Sequence, residues 1–144
     1  MEKAFKAGLI AIVLIAIDQL VKVLLVGKKY LIGSYGIEYV ENHGAAFGIL
    51  QGWRWALIIA SVLVLIFIAF LYFKEKNKIE KAAFVLIFAG TLGNLIDRVM
   101  LGYVRDFIAI GSWPNFNIAD SLNVVGALIL VYVLVKKKYS QGSK

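Results

Sequence analysis

The sequence has no cysteine, a single proline and a single histidine, and each absence removes a class of chemistry. Without thiolates there is neither a disulfide framework nor a thiolate zinc site, and His43 has no second imidazole with which to hold a metal. No metal and no cofactor is therefore expected. One proline leaves long segments free to run as uninterrupted helix. Charge is scarce as well: 17% of residues are charged against 61% hydrophobic, with a mean hydropathy of +0.82. A chain of 144 residues with that balance carries more apolar material than a soluble domain could bury, which puts it in a bilayer as one small domain with lipid as its surroundings. The net charge of +7 would fit nucleic acid only if the basic residues gathered on one groove-facing surface, and they do not.

What is present is a set of apolar runs. The clearest, Trp55 to Phe73, has no charge at all, and at about 1.5 Å per residue it approaches the roughly 30 Å hydrocarbon core of a membrane. Three more run from about Ala4 to Val26, Ala82 to Met100 and Ile118 to Val135, each interrupted by polar groups. The expected fold is all-α, with four transmembrane helices across residues 1–144. Lys3, Lys6, Lys74, Lys76, Lys78, Lys81, Lys136, Lys137, Lys138 and Lys144 fall on one side of such a bundle; Lys28, Lys29, Arg54, Arg98 and Arg105 lie near the other. The positive-inside rule then makes both termini cytoplasmic. The apolar run after Lys6 leads into Asp18, Gln19 and Lys22 without a small-residue cleavage site, so the first helix is expected to be retained. In the long loop from Gly27 to Gly52, Ile37 to Val40 and the tyrosines at 30, 35 and 39 predict short strands at the outer face. After Met100 the chain returns to the membrane through a short stretch with a turn at Gly111 and Pro114. Trp53, Trp55 and Trp113 read as interfacial anchors, and Ser140 to Lys144 as a frayed end.

The acids are unevenly placed. Glu2, Glu38, Glu41, Glu75 and Glu80 all fall in loops or at ends, whereas Asp18, Asp97 and Asp120 lie within or at the margins of spans and Asp106 sits in the short outer stretch. An ionisable group at membrane depth costs at least about 2.5 kcal/mol, so each aspartate is a functional candidate, with helix pairing as the structural alternative. Asp18 and Lys22 stand four apart on one helix face and are read first as a salt bridge. Gly90, Gly93, Asn94 and Asp97 share a stripe of the third helix, and Asn117, Asp120 and Asn123 an edge of the fourth. Arg98 needs acceptors, of which Asp97 and Asp106 are nearest in sequence. Ser61 reads as packing, and neither Ser112 nor Ser121 has a histidine base nearby.

Carboxylates remain as the reactive groups. Two held close in a site of low dielectric share one proton, so that the ionised member can deprotonate water while the protonated one polarises a carbonyl. That is aspartic protease chemistry. Spacing alone permits Asp106 with Asp120 and, almost as readily, Asp97 with Asp120. A proton-conducting transporter would spread its carboxylates through the membrane depth, and a noncatalytic assembly subunit would use the stripes only to bind partner helices.

From end to end the chain resembles the bacterial lipoprotein signal peptidases (signal peptidase II), in five blocks: IDQLVK at 17 to 22, ENHGAAFG at 41 to 48, GNLIDR at 93 to 98, VRDF at 104 to 107 and FNIAD at 116 to 120. The resemblance implies an inner-membrane aspartic endopeptidase whose catalytic pair is Asp106 and Asp120. It also implies supporting or substrate-contacting roles for Asp18, Lys22, Asn42, Gly44, Asn94, Asp97, Arg98 and Asn117. The substrate it implies is a prolipoprotein whose cysteine carries diacylglycerol, cut just before that cysteine near the outer face by an enzyme working as a monomer. The block from Gly44 to Gly48 then reads as a loop with small residues and an aromatic anchor, in preference to a GxxxG helix contact. Thr91 and Trp113 depart from the residues common in the family, and the stretch from Phe107 to Phe116 is short.

Overall fold

The computed structural model describes residues 2–45 and 49–141. In chain order its elements are α1 (Glu2–Leu24), β1 (Lys29–Ile32), β2 (Tyr35–Asn42), α2 (Arg54–Lys74), α3 (Lys78–Met100), β3 (Val104–Ile110), β4 (Trp113–Phe116) and α4 (Ile118–Gln141). All four helices are long and apolar enough to cross a membrane. α3 begins four residues ahead of the expected Ala82 because Asn77 caps it, its Oδ1 accepting from the backbone N–H of Ile79 at 2.8 Å and of Glu80 at 3.4 Å. α1 stops at Leu24 ahead of Gly27, whose φ of 68° suits glycine, and α4 runs past Val135 to Gln141.

The bundle is organised about α3, against which α1, α2 and α4 each pack. Its exterior is apolar: Ile59, Ile66 and Phe67 on α2 and Leu128 and Val131 on α4 are exposed. Its interior is polar. The fully buried residues include Asp18, Lys22, Asp97 and Asn117, an inversion that follows from a solvent that is hydrocarbon outside and from polar groups that must satisfy one another inside. Two glycines allow the closest contact. A Cβ at Gly90 would stand 2.3 Å from the carbonyl oxygen of Ala119, and one at Gly93 2.8 Å from a carboxylate oxygen of Asp18. The start of α4 therefore nests against α3.

A four-stranded antiparallel sheet, in the order β1-β2-β3-β4, sits at one end of the bundle. β1 and β2 are the strands expected in the long loop. β3 and β4 were expected only as a turn; they form a second hairpin closed at Gly111, with φ of 60°. The sequence hides them because VRDFIAI is buried on both faces, every residue but the last, Ile110, being buried or half-buried, and so shows none of the alternation of a half-exposed strand. Pro114 lies in the edge strand β4, where a missing N–H costs no ladder bond. β3 pairs with β2, setting Val40 opposite Asp106 and Asn42 opposite Val104.

Replacing Gly90 with alanine should lower the thermal unfolding midpoint in detergent, by the equivalent of about 1–3 kcal/mol for overpacking a tight contact. Gly8→Ala, whose new Cβ meets nothing within 4 Å, should leave the midpoint unchanged or raise it slightly.

Candidate active site

Asp106 is on β3 and Asp120 is in the first turn of α4, and the two carboxylates line one cavity of about 440 Å³ with Asn42, Asn94, Arg98 and Phe116. The position of Asp120 is set by the way α4 starts. The side-chain oxygen of Asn117 accepts from the backbone N–H of Asp120 at 2.9 Å, and the carboxylate of Asp120 accepts from the backbone N–H of Asn117 at 3.1 Å. This is a capping box, in which residues three apart satisfy each other's orphan amides. Asn117 thereby has its Nδ2 free to reach outward. It donates to Asp106 at 2.7 Å and to the Oδ1 of Asn94 at 3.1 Å, while the Nδ2 of Asn94 donates to Asp120 at 2.7 Å. One residue, Asn117, spans the gap between the two acids with its backbone N–H on one and its side-chain amide on the other.

Asp106 is held from the other side by Asn42, whose Nδ2 donates to it at 2.9 Å. The Oδ1 of Asn42 accepts from the N–H of Gly44 at 2.9 Å, and the carbonyl of Gly44 accepts from Arg98 at 3.0 Å. Arg98 was expected to bond Asp97 or Asp106. Its hydrogen bond goes instead to the loop carbonyl, because Asp97 is already taken, although the charges of Asp120 and Asp106 still act on the guanidinium. Residues 46–48 of the same loop, including the expected anchor Phe47, lie outside the described residues.

Beneath the pair is an ion lattice. Lys22 stands 2.9 Å from Asp18 and 3.4 Å from Asp97, all three fully buried, and its Nζ donates to the Oδ1 of Asn94 at 3.0 Å. The second oxygen of Asp18 accepts from the N–H of Ala119 at 2.9 Å, so this acid also caps α4. Asp97 faces Arg105, accepting from its backbone N–H at 3.0 Å and from its guanidinium at 2.6 and 3.2 Å. A pairing of Asp97 with Asp120 is thus not formed. Arg105 and Gln19, which accepts from that guanidinium at 2.8 Å, were missed as site residues. The signal was an arginine beside an aspartate in VRDF, read only as a topology charge. Among the described residues no cluster of side chains could hold a metal ion.

Asp106 is 2% exposed, and its carboxyl is pushed up to about 7, first by burial and then by the nearby charge of Asp120, against the hydrogen bonds from Asn42 and Asn117 and the charge of Lys22. Arg105 is raised by the carboxylate of Asp97, which keeps it charged. The cavity can therefore hold a proton near neutral pH beside a second carboxylate. Trp113, Val124 and Val125, which also line the cavity, are largely exposed and give it an apolar edge.

A family model for signal peptidase (SPase) II matches residues 10–136. A lipoprotein signal peptidase of Halothermothrix orenii is 39% identical over 134 residues, covering 88% of this chain and 92% of that protein. One of Caldanaerobacter subterraneus subsp. tengcongensis is 44% identical over 142 residues, covering 88% and 97%. Among solved structures, a bacterial membrane enzyme at 2.3 Å resolution superimposes with a TM-score of 0.89 at 33% identity, covering 96% of this chain and 93% of its own.

Asp97→Asn should destabilise the protein by about 3–5 kcal/mol in a detergent unfolding assay, since it leaves buried cations uncompensated; an unchanged midpoint would mean that the lattice carries no load. Asp106 should show a carboxyl infrared band that titrates near pH 7, moving higher in Asn42→Ala. Because the folded state holds this proton more tightly than an ordinary carboxyl near 4, its stabilising contribution is complete below about pH 4 and is lost as pH rises through about 7. Wild-type stability should accordingly fall over that range relative to Asp106→Asn.

Proposed function

The chain belongs to the signal peptidase II family of aspartic peptidases, and on that premise we propose that Asp106 and Asp120 are the catalytic dyad that removes signal peptides from prolipoproteins. The observation that carries the assignment is the bridge at Asn117, whose backbone N–H donates to the carboxylate of Asp120 and whose side-chain Nδ2 donates to that of Asp106, at the wall of a single cavity.

The pair holds one proton between its two carboxyls. The ionised member takes a proton from water; the resulting hydroxide attacks the scissile carbonyl carbon while the protonated member donates to the carbonyl oxygen. On collapse of the gem-diol intermediate the dyad's proton passes to the leaving nitrogen as the C–N bond breaks, and one hydroxyl of the intermediate gives its proton back to the other carboxylate, which restores the one shared proton. Asn42, Asn94 and Asn117 keep the carboxylate oxygens aimed, and the contact between Arg98 and Gly44 holds the chain just beyond Asn42. Asp18, Lys22 and Asp97 fix the frame beneath. The relatives are lipoprotein signal peptidases by name, and the substrate proposed here is the diacylglyceryl-modified prolipoprotein, cleaved before its lipidated cysteine. The apolar edge formed by Trp113, Val124 and Val125 suits a lipid-bearing chain arriving from the bilayer. The lysine distribution supports cytoplasmic termini in a bacterial inner membrane, with the dyad towards the outer face; one chain carries both carboxylates, and the protein is proposed to act as a monomer.

Asp106→Asn and Asp120→Asn should each cut processing of a lipidated prolipoprotein by about 10³-fold, within the range for losing a general acid or base, while both variants remain folded. Processing that persists in both would remove the assignment. Wild-type activity should decline as pH rises through about 7 and the shared proton leaves, and should survive an excess of chelator.

A further inference from the structure

Two clefts flank α2, because α1 and α4 both pack on α3 but scarcely touch α2. The cleft towards α4 shares Asn94 and Arg98 with the dyad cavity and belongs to that site. The cleft towards α1 lies at the opposite end of the bundle, where α1 and α3 begin and α2 ends. It contains a cavity of about 200 Å³ walled by Ala7, Gly8 and Ala11, by Tyr72, and by Phe84 and Phe88. α1 supplies only small side chains here, and a Cβ on Gly8 would meet nothing within 4 Å. An adjoining cavity of about 320 Å³ shares Ala7 and Tyr72 and adds two cations, Lys6 and Lys81. The ammonium of Lys81 lies 4.7 Å from the centre of the Tyr72 ring; that of Lys6, exposed, gives one of its three N–H donors to the carboxylate of Glu2 at 2.6 Å.

We infer that this double cleft binds an anionic phospholipid, with an acyl chain in the apolar part and the headgroup phosphate between Lys6 and Lys81. A wall of methyl and aromatic groups offers nothing to a peptide backbone, whose N–H groups would be buried unsatisfied, whereas hydrocarbon loses nothing by entering. The cavity is too narrow for a partner helix about 10 Å across, and it admits a chain of methylenes. The two lysines at its edge select the sign of the headgroup. Basic pockets between transmembrane helices bind acidic headgroups in this way, with about 1 kcal/mol, or fivefold in affinity, for each lysine.

The test uses the full chain in detergent, measuring lipid retained by native mass spectrometry after exposure to equal phosphatidylglycerol and phosphatidylcholine. Wild type should retain phosphatidylglycerol at least fivefold in excess. The excess should fall towards unity in Lys6→Gln/Lys81→Gln and persist in Lys138→Gln, a cation at the same end but outside the cleft. Gly8→Leu, which fills the apolar part, should lower retention of both lipids; if that variant fails to fold, the lysine pair decides. Equal retention by wild type, or an excess unaltered in Lys6→Gln/Lys81→Gln, overturns the proposal. So does a thermal shift that inorganic phosphate reproduces, because the site would then hold a free anion and not a lipid.

Discussion

The structure depends on burying Asp97 without leaving its charge alone. Four donors converge on this carboxylate or stand against it: the backbone N–H and two guanidinium nitrogens of Arg105, and the ammonium of Lys22. Each partner comes from a different element, Lys22 from α1 and Arg105 from β3, while Asp97 itself is on α3. A single acid thus ties the sheet and the first helix to the centre of the bundle. Without that tie, β3 would be a short strand lying on a membrane protein with little to fix its depth, and Asp106 is the next residue along it.

The same economy places the second carboxylate. Asp120 owes its position to the start of a helix, whose unpaired amides must find acceptors somewhere. Asn117 and Asp120 satisfy one another, and Asp18 reaches across from α1 to the N–H of Ala119. Glycine at 90 and 93 lets this crowded start lie directly against α3. The site is therefore assembled from a strand that is pinned by ions and a helix that is pinned by its cap, and Asn94 and Asn117 join the two. Both acids take their direction from regular elements, and Asn42, which steadies Asp106, is the last residue of β2.

Much of this was legible because the membrane makes polar residues conspicuous. Four apolar runs, and aspartates inside or beside them, could be picked out against a background that tolerates few charges, and Asn94 of the third helix's stripe meets Asn117 and Asp120 of the fourth's. The Asp18 and Lys22 pair also forms as helical spacing predicts. The failures have a common physical origin. β3 was invisible because burial on both faces removes the alternation by which a strand is recognised, and without that strand Arg105 had no reason to point inward. With Arg105 misplaced outside, Arg98 looked like the natural partner of Asp97. The structure exchanges them: Arg105 takes the acid, and Arg98 is released to the carbonyl of Gly44.

That exchange leads to a charge balance. The lattice beneath the site contains Asp18 and Asp97 against Lys22 and Arg105, two of each sign, and so contributes no net charge to the interior. Above it stand one cation, Arg98, and two acids, Asp106 and Asp120, lining the same cavity. Were both acids ionised, this end of the bundle would carry an excess negative charge with no buried counterion; were both protonated, Arg98 would be left uncompensated. Only with one proton between them does the sum reach zero. Low dielectric makes either departure costly, because the interaction of unpaired charges there is screened far less than in water. The proton that the proposed dyad needs for catalysis is then the same proton that the membrane interior needs for neutrality, and Arg98, too far committed to the loop to bond either acid directly, sets the count.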